Sequence, residues 1–83
     1  MNLEDLKSFP TELFIPLEGE DYYEGRMTIN KSAKSFFVEL DIVYVESKKI
    51  YHHVDILYNF PSANEARDQG VQRLSDFLKK KKD

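Results

Sequence analysis

His52 and His53 are the residues with the most chemical reach in this chain, because imidazole both ligates metals and exchanges protons near neutral pH. They lie in a run of β-branched and aromatic residues, Lys49 to Phe60, that reads as a strand. Neighbours on a strand point to opposite faces, so the two imidazoles cannot share one ion. His52 is expected on the core face as a hydrogen-bonded residue near the end of the sheet. His53 is expected to face outward near Asp41, Asp55 and Tyr51. One hairpin register sets Asp41 opposite His53, and a shift of two residues sets it opposite Asp55 instead. A metal or acid–base site requires the first register plus another ligand. Otherwise His53 is a surface imidazole whose protonated form a carboxylate favours. No catalytic residue, metal ligand or cofactor is assigned on this basis.

Other chemistries have less to stand on. The chain has no cysteine, which removes disulfides, thiolate nucleophiles and cysteine-bound metal sites together. Gly19, Gly25 and Gly70 are isolated, so there is no phosphate-cradling loop. No serine sits in a nucleophile elbow, and the carboxylates are scattered as on a solvated acidic surface. The expectation is a protein that is not an enzyme.

The histidines need elements to position them. Phe36–Glu46 and Lys49–Phe60 read as two long strands joined at Ser47-Lys48, with Tyr22 to Asn30 as a strand before them. Strict alternation puts Phe36, Val38, Leu40, Ile42 and Tyr44 on a core face with Ile50, His52, Val54, Ile56, Tyr58 and Phe60. Gly25 falls on the apolar side of its strand, which suggests a bulge or a close approach by another backbone. Thr11 to Leu17 reads as an edge strand or an extended arm, since Pro16 cannot donate to a ladder. Asn2 to Phe9 has the spacing of a short helix ended by Pro10. After Pro61, Ser62 and Glu65 form a capping box that opens a helix over 62–80. Ala63, Ala66, Gly70, Val71, Leu74, Phe77 and Leu78 recur along it as one apolar stripe. The fold expected is a single α+β domain over 1–83. It has an N-terminal helix or arm (1–17), a three-stranded, or with the edge strand four-stranded, antiparallel meander (22–60), and the long C-terminal helix on one face. Val38, Leu40, Ile42, Val54, Ile56, Tyr58, Ala66, Gly70, Leu74 and Phe77 are the expected core.

Composition narrows the partners. A chain of 83 residues buries only about 60% of its unfolded surface, so self-association is a sensible expectation. Phe37, Val43, Val45, Tyr51, His53 and Leu57 are expected to make an outer-face surface for a homodimer or another protein, unless the first seventeen residues fold back over it. The alternative is single-stranded nucleic acid, bound by Tyr22, Tyr51 and the run Lys79, Lys80, Lys81, Lys82. Against it, the chain without its last five residues carries eight basic and fourteen acidic residues, a net −6 that repels phosphate. No apolar segment approaches the roughly 18 residues of a spanning helix, and the opening residues lack a signal-peptide pattern. A soluble, cytoplasmic protein with no membrane contact is the expectation.

Overall fold

The computed structural model describes residues 9–82, with the backbone alone at 81 and 82. Four strands, β1 (Thr11–Pro16), β2 (Tyr23–Ser32), β3 (Ser35–Tyr44) and β4 (Ile50–Phe60), precede one helix, α1 (Ala63–Lys82). The strands pair antiparallel in the order β1-β2-β3-β4, so Thr11–Pro16 is an edge strand of the sheet. The short helix expected over Asn2–Phe9 lies outside the described residues but for Phe9, which falls in no helix. Among the described residues, no helix is long and apolar enough to cross a membrane.

β2 and β3 obey the period of two. Met27, Ile29, Val38, Leu40 and Ile42 turn to the helix side and are buried there. α1 closes that face with Ala63, Ala66, Gly70 and Leu74, and Phe77 and Leu78 pack at the margin. Val71, counted in the apolar stripe, is instead exposed beside it. The helix begins where the sequence places its cap: Ser62 Oγ accepts the Glu65 N–H at 3.1 Å. β2 is continuous through Gly25, without a bulge; the close neighbour there is a side chain, with Leu74 Cδ1 3.3 Å from where a Cβ would stand.

β4 departs from alternation. Three register shifts separate Phe36 from Val38, Leu40 from Asp41 and Ile42 from Val43, and each sets an extra β4 residue against β3. A bulge of this kind turns the following side chains to the other face. Leu57, expected outside, therefore faces the helix opposite Val38 and packs on the core, while Ile56, expected in the core, pairs with Glu39 on the outer face. Tyr58, also expected in the core, is 61% exposed and stacks on Phe37 with ring centroids 5.8 Å apart. Asp55 faces the helix and binds Arg73 Nε through Oδ2 at 3.0 Å, rather than standing outside with His53. Val54 keeps its packing against the core despite the shifts.

Candidate functional site

The bulges assemble a charged row across the outer face. Phe14 on β1 pairs with Arg26 on β2, Arg26 with Asp41 on β3, and Asp41 with His53 on β4, so four side chains stand in line across the sheet. Asp41 is fully buried although it points away from the helix. Its Oδ2 accepts Arg26 Nη2 at 3.0 Å, and its Oδ1 lies 2.9 Å from His53 Nδ1. His53 Nδ1 is also 3.9 Å from Glu39 Oε2. Two residues further along β3 from Asp41, Val43 pairs with Glu24 and Ile50. Lys48 crosses toward this row from the β3–β4 turn: it pairs with Glu24, and its Nζ lies 4.6 Å from the Phe14 ring centroid.

The structure sorts the expected surface residues into different places. Phe37 and His53 are on the outer face. Val43 points outward but is fully buried by its neighbours, so it offers a partner no surface. Val45 follows β3, where its N–H donates to the Tyr22 carbonyl at 2.9 Å. Leu57 and Tyr51 belong to the helix side. The exposed apolar groups that sequence reasoning missed on this face are Phe14, which it left out, and Ile50 and Tyr58, which it assigned to the core side. The segment expected to fold back over the face does not do so where it is described: Leu13 turns to the helix side, and Phe9 packs against Phe36 there, ring centroids 5.5 Å apart.

Tyr51 joins a second cluster at the other side of the sheet. Its ring lies 4.5 Å from Tyr23 and 5.5 Å from Tyr44, centroid to centroid. Tyr23 and Tyr51 border a crevice of about 380 Å³ with Leu17, Ile42, Phe77 and Glu20. His52 stacks on Phe77 at 5.3 Å, the core-side position expected for it, although its ring is exposed there. Because α1 runs back along β4, Lys79 reaches this end of the molecule, on a crevice it shares with Glu18 and Glu20, and Lys80 lines another with Arg73 and Asp76. Tyr22 is largely exposed. Tyr51, Lys79 and Lys80 thus gather beside the helix, with carboxylates between, and not on the open sheet face; the side chains of Lys81 and Lys82 lie outside the described residues.

Desolvation, then the nearby Tyr51 and Tyr44 phenols and Glu20, raise the Tyr23 pKa above its ordinary 10.0, and a hydrogen bond with Tyr51 adds to this. The raised value means that the folded state holds this proton more tightly than the unfolded one. Its stabilisation is therefore complete below pH 10.0 and is lost as pH climbs through the folded value. Titration of phenolate absorbance should show one late tyrosine that Tyr23→Phe removes; a Tyr23→Phe curve that keeps its late step would place the shift elsewhere. Comparison of the chain with protein-family models, with curated proteins and with solved structures finds no match.

Proposed function

We propose that this protein is a non-enzymatic interaction module that self-associates through the outer face of its sheet. The observation that carries the reading is that face itself. Phe14, Ile50 and Tyr58 are exposed on it, and among the described residues no element packs over it. Phe14 stands on one edge strand and Ile50 and Tyr58 on the other, with the charged row between them, so the face offers a partner two apolar margins around a polar centre. Strands ten residues long and about 4.8 Å apart project roughly 600 Å², the scale of one side of a standard interface. The edges suit docking less well. β4 is bulged three times, and β1 ends on Pro16, both devices that discourage strand addition. Both signs of charge stand on the face, Arg26 and Lys48 with Glu12, Glu24 and Glu39, so it can complement itself in an isologous pair.

Sedimentation equilibrium tests this. The wild-type chain should dimerise, and Phe14→Glu with Tyr58→Glu should weaken the dimer by at least about tenfold, since exposed aromatic anchors carry a large share of interface energy. Val71→Glu, on the exposed side of the helix, should change nothing. A strict monomer at high concentration overturns the reading. If that monomer retards an oligonucleotide at low salt, with steep salt dependence, the single-stranded nucleic-acid alternative takes its place.

A further inference from the structure

The register observed between β3 and β4 is the one a metal site at His53 requires, and the further ligand is present. Glu39 and Asp41 are two apart on β3 and so share the outer face. The shift between Leu40 and Asp41 brings His53 opposite Asp41. One donor atom from each of Glu39, Asp41 and His53 lies within 4.8 Å of the others. Donors about 2.1 Å from a tetrahedral ion stand about 3.4 Å from one another. The separations here, 2.9 Å from His53 Nδ1 to Asp41 Oδ1 and 3.9 Å to Glu39 Oε2, lie on either side of that value.

Two features set this trio apart from a loose group of surface acids. The central carboxylate is fully buried and pinned, because Arg26 holds Oδ2 and leaves Oδ1 to the imidazole. Hydrogen bonding to the far oxygen is how ligating carboxylates are oriented in metal sites. The outer two ligands, by contrast, are open to solvent, which gives an ion its entry. Arg26 and Asp41 cancel in charge and Glu39 leaves the site a net −1, a sign that attracts a cation and that bound zinc would turn to +1. One imidazole nitrogen with two carboxylate oxygens suits a borderline cation, whereas magnesium and calcium prefer all-oxygen shells. We infer that Glu39, Asp41 and His53 form a zinc-binding site, with the fourth position taken by water. The inference depends on the β3–β4 register and not on self-association.

Titration of the untagged chain with zinc chloride, followed by calorimetry and by histidine side-chain NMR, tests it. One ion should bind per chain and shift the His53 ring resonances more than those of His52. His53→Ala and Glu39→Gln should each weaken binding by at least about tenfold. Both residues are partly exposed, so the variants fold. His52→Ala, which alters the opposite face, should bind as the wild type does, and excess magnesium should not compete. Absence of saturable binding, wild-type affinity in His53→Ala, or an equal loss in His52→Ala overturns the site.

Discussion

Gly70→Leu should cost at least about 3 kcal/mol and lower the thermal midpoint by about 15 °C, more than any conservative change elsewhere in α1. A Cβ built at Gly70 would stand 2.9 Å from Met27 Sδ, 3.2 Å from Leu40 Cδ2 and 3.5 Å from Val38 Cγ2. Those three side chains are themselves buried to within 1% and cannot turn toward solvent. Leucine adds three further carbons into the same layer, so either the helix lifts off β2 and β3 or the sheet side chains leave their rotamers. Better helix propensity returns only about 1 kcal/mol. Gly70→Ala is the informative contrast. Here the flexible thioether of Met27 must shift and one leucine methyl must give by a few tenths of an ångström, so the propensity gain about offsets the crowding. Circular dichroism melts of the two variants separate the cases. A Gly70→Leu protein that melts with the wild type would mean that the helix does not lie on the sheet at this point.

The same layer shows what could be read in the residues and what could not. On β2 and β3 the alternation of Met27, Ile29, Val38, Leu40 and Ile42 survives in the folded chain, because both strands are regular and one face is buried. β4 carries equally clear alternation, yet Ile56 and Tyr58 are outside and Leu57 is inside. A bulge is a two-against-one pairing, and its position depends on how the partner strand twists, so parity counted on one strand cannot locate it. Its single local trace is Asn59, whose φ of 68° is one that asparagine tolerates better than most residues. Tyr51 was misplaced for the same reason: it is the extra residue at the last shift, between the pairs made by Ile50 and His52. The charged row was half legible. Asp41 and His53 were one of two registers, and Asp55 stood in the other until the fold gave it Arg73. Nothing local announces that Asp41 is buried on the outer face. That burial comes from Arg26, fifteen positions earlier, arriving on the neighbouring strand.

Asp41→Ala should destabilise the protein by about 3 kcal/mol, whereas the double variant Arg26→Met with Asp41→Leu should stay within about 1 kcal/mol of the wild type. The asymmetry follows from desolvation. Arg26 is only 18% exposed, and its Nε already lacks a hydrogen-bond partner. Removing Asp41 leaves a guanidinium that water reaches poorly and that no carboxylate compensates, and it also takes the acceptor from His53. Breaking a buried pair from one side costs about 3–5 kcal/mol; the remaining exposure of Arg26 places this pair at the lower end. Replacing both partners removes the charge and its counter-charge together and fills the volume with methylene and methyl groups, so no buried ion is stranded. Urea unfolding measures both, with an unchanged slope as the check that the transitions are comparable. If Asp41→Ala costs less than about 1 kcal/mol, Arg26 swings out to water and the row is looser than its distances imply. The double variant also divides stability from ligation. It should fold like the wild type and take up no zinc, because the carboxylate that Arg26 orients is gone while the strands that carry Glu39 and His53 remain in register.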